Sequence, residues 1–340
     1  MRFALVAASA RSLPALTWGS VVSAVLNMTC VLFPHRDADY FAPRLRERFP
    51  GLTILTAPDL SDAEDLLGEA DVIMATGHLF NDRRLRLAGR LRWIHAMTTG
   101  FDSIVLSDAL RPEVVLTTTR GIHGPQTSEM AIMYMLNLAR GVPRMIGNQR
   151  KHVWQRWTQV RLYGKTVAIL GMGVIAEALA PRCKALGMTV LGVTRTPRSP
   201  AGFDRVYRYD ELRQAAALAD FLVVLAPHAR ETENIIDAGV LAAMKKSAFL
   251  INLARGAVCD EAALLDALVN KRIAGAGLDV FRKEPLPGDS PFWDLDNVMI
   301  SAHCSGSSDD NRALTWPIIE TNMACFLEGR RLEMVNIVPH

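Results

Sequence analysis

The chain has no long apolar run, no block of like charge and only scattered cysteines, and each absence excludes something. Without about 20 consecutive apolar residues there is no candidate for a membrane-spanning helix. A formal net charge of +3 over 340 residues, with no Lys/Arg cluster, leaves no footprint for nucleic acid or an anionic membrane. The five cysteines (Cys30, Cys183, Cys259, Cys304 and Cys325) are an odd number without C-x-x-C or Cys/His metal spacing. They read as free thiols of a reducing cytoplasm, and no metal site is expected. No internal repeat or low-complexity segment is visible. What remains is a chain long enough for two domains, each able to bury its own core.

The opening, MRFALVAASA, has one basic residue, a short apolar run and an Ala8-Ser9-Ala10 that resembles a signal-peptidase site. The apolar run is short for an export signal, and the first credible strand begins only after Met28. Residues 1–27 are therefore expected to be an appendage that takes no part in the fold.

The chain is organised around Thr166 to Arg198, TVAILGMGVIAEALAPRCKALGMTVLGVTRTPR. A short apolar run suited to a buried parallel strand is followed at once by Gly171-Met172-Gly173. Gly171 suits the sharp turn, and Gly173 lets a pyrophosphate approach the backbone. Ala176, third in the G-x-G-x-x-G pattern, is small enough for helix and strand to pack. The N–H groups at the helix start, at Val174 and Ile175, then face the pyrophosphate. The next strand, 188–193, ends where the pattern expects an acid for the ribose 2′-hydroxyl. This chain has Thr194, Arg195, Thr196, Pro197 and Arg198 there. Two guanidiniums and two hydroxyls suit a 2′-phosphate that a carboxylate would repel, so NADP is expected over NAD. Pro181 removes a backbone donor inside the helix and should kink it.

Strand-like and helix-like runs alternate on both sides of this stretch. Strands are expected at 30–33, 53–55, 72–75, 91–95 and 114–117, with helices near 40–48 and 62–69. After a turn-rich break at 121–125, read as a hinge, a helix runs from a Thr127 or Ser128 cap to Arg140. Its apolar positions go most of the way round, which suggests burial against a domain or a subunit. Further strands are expected at 221–226, 248–252, 275–280 and 298–301, and a last helix at 311–327, interrupted near Pro317. The fold class is α/β: two Rossmann-like or flavodoxin-like domains with parallel sheets and an active-site cleft between them. The dinucleotide-binding domain is placed at 124–304 and the substrate domain at 28–123 plus 305–340.

Three loops at carboxyl ends of the second domain's strands carry Arg255, Glu284 and His303. Such ends converge on one crevice. Reduction of a 2-oxo acid by hydride needs a cation for the carboxylate, a proton donor for the carbonyl oxygen, and a group that keeps the donor protonated. Arg255 can grip a carboxylate in bidentate fashion. His303 is the natural acid, since imidazole titrates near neutral pH, and Glu284 is its candidate partner.

These segments resemble the D-isomer-specific 2-hydroxyacid dehydrogenases from about Met28 to Val338. The resemblance rests on GMGVIA after TVAIL, the NLARG loop, DVFRKEPL, PFWDLDNVMISAHCSG, and the closing NMACFLEG and VNIV. It implies Arg255 as substrate clamp, His303 as general acid/base and Glu284 as its partner. It further implies a substrate-carboxylate site at Thr98, Thr99 and Gly100, and cofactor contacts at Pro227 and Asp279. Within the family the Arg195 and Arg198 loop looks like the NADPH-using glyoxylate and hydroxypyruvate reductases. Three positions depart from the usual pattern: Thr98, which could narrow the pocket, Ala229 in place of a hydroxyl, and His228. Formate dehydrogenases share the fold but carry Gln where Glu284 stands. The resemblance also implies a homodimer, and Trp154 or Trp157 resembles an aromatic lent to a neighbouring subunit. Two alternatives stay open: a dehydrogenase of a bulkier 2-oxo acid, and a non-catalytic NAD(P)-sensing corepressor. Since residues 1–27 are expected to add nothing to the core, a chain begun at Met28 should keep the parental melting temperature and turnover. A large fall in melting temperature would show that the extension packs.

Overall fold

The computed structural model describes residues 29–196, 198 and 200–340, so the expectation for residues 1–27 lies outside the described residues. The chain falls into two compact units, one running up to Arg120 and taking in Arg312–His340, the other Gly121–Asn311. These divisions lie slightly outside the joins expected from the sequence. The segment just after His303 belongs to the second unit because Thr127 Oγ1 donates to Ser305 O (3.2 Å) and Gln126 Nε2 to Gly306 O (3.3 Å).

In the first unit, β1 (Cys30–Pro34), β2 (Thr53–Ala57), β3 (Val72–Ala75), β4 (Trp93–Ala96) and β5 (Val115–Thr118) form a parallel sheet in the order β2-β1-β3-β4-β5. This is the flavodoxin-like order of a doubly wound sheet. Val31 and Phe33 pack on one face with Phe41 and Leu45, and with Ile319, Met323 and Phe326 of the closing helix Asn311–Leu327. Leu32 turns to the other face, with Leu60, Leu67 and Ile73. Covering both faces requires nearly continuous apolar strands, which is how the sequence reads.

The second unit holds β6 (Thr166–Leu170), β7 (Thr189–Thr194), β8 (Arg205–Arg208), β9 (Phe221–Val224), β10 (Phe249–Asn252), β11 (Gly275–Leu278) and β12 (Val298–Ile300). Their order is β12-β11-β10-β9-β6-β7-β8. The chain starts at β6, winds outward to β8, and then resumes beside β6 with β9. At such a reversal the loops leaving the carboxyl ends part and leave a crevice. The helix Gly124–Arg140 covers one face so closely that a Cβ on Gly277 would lie 2.6 Å from the Tyr134 ring.

Several expectations need correction. Strand β8 was not foreseen, because Arg205 and Arg208 bracket only two apolar residues on an edge strand. The helix expected from a Thr127 or Ser128 cap begins at Gly124, with Pro125 in its first turn where a missing N–H costs nothing. Within the chain its buried stripe includes Ala131, Tyr134, Met135 and Leu138, while Met133 and Leu136 are exposed. Residues 61–69 form 3-10 turns, begun by Asp59 accepting from Ser61 N (2.6 Å) and Asp62 N (3.3 Å). Pro317 lies within one continuous helix and not at an interruption. A proline forfeits one backbone bond, and packing on the flanking turns outweighs that loss.

Candidate functional site

At the end of β6 the backbone turns through Gly171 at φ +96°, a conformation L side chains rarely adopt. A Cβ there would also meet Ala226 N at 2.5 Å, so β6 and β9 leave room only for glycine. Gly173 is the opposite case: a Cβ on it would find nothing within 4 Å. Its need for glycine is therefore not set by the protein's own packing. The helix Val174–Ala185 follows with no side-chain cap at its N-terminus, leaving the first-turn N–H groups near Val174 and Ile175 for an anion. These features fit a dinucleotide pyrophosphate.

At the end of β7, Arg195 and Arg198 are both exposed, and each is held by a carboxylate. Arg195 Nη1 lies 2.7 Å from Glu231 Oε1, and Arg198 Nη2 lies 2.8 Å from Glu177 Oε1. Thr194 Oγ1 donates to Thr196 O (3.4 Å). The loop after β9 is shaped by a residue the sequence reading overlooked. Buried Thr232 donates to Pro227 O (2.7 Å) and accepts from Ala229 N (2.8 Å), which closes the turn from Pro227 to Thr232.

The loops after β10, β11 and β12 bring Glu284 and His303 together, with Arg255 close enough for its charge to act on Glu284. Asn252, at the end of β10, donates from Nδ2 to Arg255 O (3.0 Å) and accepts from Ala254 N (3.1 Å), which folds the turn carrying Arg255. Arg255 itself is half-buried, with Nη1 donating to Ala254 O at 2.6 Å. A Cβ on Gly256 would lie 2.0 Å from the carbonyl carbon of Phe281, so the Arg255 and Glu284 loops are in backbone contact.

Glu284 Oε1 accepts from Phe281 N (2.9 Å), and Oε2 lies 2.7 Å from His303 Nδ1. Burial pushes the Glu284 carboxyl up, but hydrogen bonds from His303 and Phe281 and the charges of His303 and Arg255 outweigh it and leave its pKa below the ordinary value. It is therefore ionised at neutral pH. With Nδ1 committed to that carboxylate, Nε2 is the nitrogen left to exchange a proton with a substrate.

His303 sits at φ +51°, a strained backbone for a histidine. Asp279 holds it there. The Asp279 backbone carbonyl accepts from His303 N (2.8 Å), and its buried carboxylate accepts from Cys304 N (2.9 Å), Ser305 N (3.0 Å) and the Ser301 hydroxyl. Burial raises the Asp279 pKa, but these hydrogen bonds more than offset it, and the net shift is downward. Asp279 thus has a task that its position in the sequence did not show.

In the first unit, Thr98 Oγ1 accepts from Gly77 N (3.2 Å) and donates to Gly100 O (3.0 Å). Its hydroxyl is spent fastening the loop Thr98–Gly100 to Gly77, at the carboxyl ends of β4 and β3. His95, which the sequence reading did not single out, lies wholly buried in β4, with Nδ1 2.8 Å from Thr117 Oγ1. Burial pushes its pKa down to about 3, which keeps it neutral and part of the core.

The chain resembles known proteins over most of its length. Residues 132–305 match the family model described as D-isomer specific 2-hydroxyacid dehydrogenase, NAD binding domain. A glyoxylate reductase of Korarchaeum cryptofilum is 32% identical over 71% of this chain and 75% of its own length. A crystal structure of a D-isomer specific 2-hydroxyacid dehydrogenase family protein from Aeromonas salmonicida is 35% identical, with a TM-score of 0.82 over 92% of this chain and 99% of that one. The NADPH-dependent glyoxylate/hydroxypyruvate reductase of Sinorhizobium meliloti, solved with NADP and sulfate, is 28% identical, with a TM-score of 0.79 over 91% of this chain and 98% of that one.

Two expected outcomes follow from the site's geometry. Gly173→Ala should leave the melting temperature of the free protein unchanged yet weaken nucleotide binding by roughly 10-fold in a fluorescence titration, whereas Gly171→Ala should lower the melting temperature itself by several degrees. Equal thermal losses in both would contradict this division. Glu284→Gln removes the negative charge that favours a protonated imidazole, so the alkaline limb of substrate reduction should move to lower pH. A profile that keeps its parental limb would contradict the pairing.

Proposed function

The chain belongs to the D-isomer specific 2-hydroxyacid dehydrogenases, and we propose that it reduces small 2-oxo acids of the glyoxylate/hydroxypyruvate type with NADPH, giving the D-2-hydroxy acid. Membership makes it an NAD(P)-dependent oxidoreductase and 2-oxo acid reductase. The observation that carries the catalytic reading is the 2.7 Å contact between His303 Nδ1 and Glu284 Oε2.

The reduced nicotinamide, when bound, supplies the hydride. Hydride addition to the carbonyl carbon leaves charge on oxygen, and His303 Nε2 donates the proton that neutralises it. Glu284 stabilises the protonated ring beforehand and fixes which nitrogen faces the substrate. Arg255 grips the substrate carboxylate and orients the carbonyl. Gly171, Gly173 and the helix start at Val174 and Ile175 hold the pyrophosphate, and Pro227 and Asp279 line the cofactor's path. Arg195 and Arg198, with Thr194 and Thr196, take the 2′-phosphate, displacing exposed carboxylate contacts that are individually weak.

The same reading makes the protein a homodimer of the cytoplasm, the compartment that regenerates NADPH. Support for the dimer comes from exposed Met133 and Leu136 on the helix Gly124–Arg140 and exposed Ile146, Val153 and Trp154 in the segment that follows it. Trp157 is accounted for within the chain, with the Arg144 guanidinium 4.6 Å above its ring. Trp154, 91% exposed, is the aromatic that would reach a partner. Among the described residues no helix is long and apolar enough to cross a membrane.

Turnover of NADPH with glyoxylate and hydroxypyruvate, set against bulkier 2-oxo acids, tests the substrate class, and no turnover with any of them would favour a sensing role. Arg195→Asp should weaken NADPH binding by several-fold or more and improve NADH, since a charge-assisted contact is worth about 1.5–3 kcal/mol before solvent screening. Equal affinity of the parental protein for both cofactors would refute the NADP assignment.

A further inference from the structure

The Glu284 loop leaves the sheet after Leu278 and has no ladder to hold it. One side chain in it reaches two neighbouring segments. Arg282 Nη2 lies 2.8 Å from Glu233 Oε1, hydrogen-bonds Asn234 Oδ1, and lies 3.3 Å from Ala257 O. The Arg282 backbone N–H donates to Glu261, at the start of the helix Glu261–Val269. Arg282 therefore spans the loops leaving β9 and β10 from within the loop leaving β11. At its far end Glu233 also accepts His228 Nε2, which gives a structural task to a histidine that departs from the family's usual residue.

We infer that Arg282 is a positioning residue: its bridge to Glu233, Asn234 and Ala257 fixes the segment from Phe281 to Glu284, and so sets where the Glu284 carboxylate meets His303. The inference rests on the roles proposed above for Glu284 and His303. Glu284 is bonded back to Phe281 N within its own loop, so the carboxylate moves wherever that loop moves. Gly256 abuts the backbone of Phe281 and Arg282, so the Arg255 turn moves with it. The ion pair is partly exposed and worth little to global stability. Its contribution is to geometry, where a displacement of about 1 Å can cost up to roughly 100-fold in rate.

The charged groups around this machinery are His303 and Arg255 facing Glu284, and Glu233, with His228 behind it, and Glu261 facing Arg282. Removing the Arg282 charge has two effects of opposite sign on the reaction's pH dependence. Loss of a nearby cation by itself favours a protonated imidazole and moves the alkaline limb of reduction upward. Loosening of Glu284 moves it downward, and the positioning role requires the second to win.

The test uses the full chain with NADPH and glyoxylate, comparing R282M, R282K, E233Q, E284Q and the double variant R282M/E284Q. R282M should lower kcat by about 10-fold and shift the alkaline limb to lower pH, with NADPH affinity by fluorescence titration within about twofold of the parent. R282K should recover part of the rate, and E233Q should give a weaker form of the same change. The double variant should be no slower than E284Q alone, because Arg282 acts through Glu284. Multiplicative losses in the double variant, or an upward shift of the limb in R282M, would overturn the inference. R282M at the parental rate beside a slow E284Q would overturn this inference alone, while E284Q at the parental rate would remove the role of Glu284 as well.

Discussion

The site depends on what one buried carboxylate accepts. Asp279 follows β11 with its side chain out of solvent, and among the described residues it satisfies that charge with donors from residues 301–305. A buried carboxylate without such donors would be expensive, so the loop after β12 has to close over it. Closing that loop puts His303 into a left-handed backbone conformation, with its N–H on the Asp279 carbonyl. The strain at His303 is thus held by the hydrogen bonds at Asp279, and the imidazole is delivered to Glu284 by a loop with little freedom to move.

Parallel topology supplies the rest. Because β10, β11 and β12 lie side by side and run the same way, the loops leaving their carboxyl ends emerge together, and residues distant in the chain become neighbours. Glycines set how closely these loops pack. Gly171 allows β9 to approach, Gly256 allows the Glu284 loop to approach, and Gly277 admits the ring of Tyr134. Tyr134 then donates to Ser301 Oγ at 2.7 Å, and Ser301 donates to Asp279. The helix that covers the sheet is in this way connected to the anchor of the loop that carries His303.

The strands were legible because parallel strands buried on both faces are written as unbroken apolar runs, and β6 and β10 fall where such runs stand. Strand β8 escaped because an edge strand needs no such run. Arg255, Glu284 and His303 could be picked out singly, each as a chemically apt residue at a strand's end. Their connections could not. The Asp279 carboxylate and the Arg282 bridge join residues whose separation in sequence carries no local signal, and only the packed sheet brings them within hydrogen-bond reach. Likewise, Arg195 and Arg198 were visible as charges, but not their contacts with Glu231 and Glu177.

The central claim is that His303 gives the proton that completes hydride transfer. Its most direct test is the single substitution His303→Ala, assayed for NADPH binding by fluorescence and for glyoxylate reduction at saturating cofactor. The account predicts NADPH affinity within about twofold of the parent and a kcat lower by ~10²–10⁴-fold, the usual contribution of a positioned general acid. A variant that binds NADPH normally and reduces glyoxylate at the parental rate would contradict it.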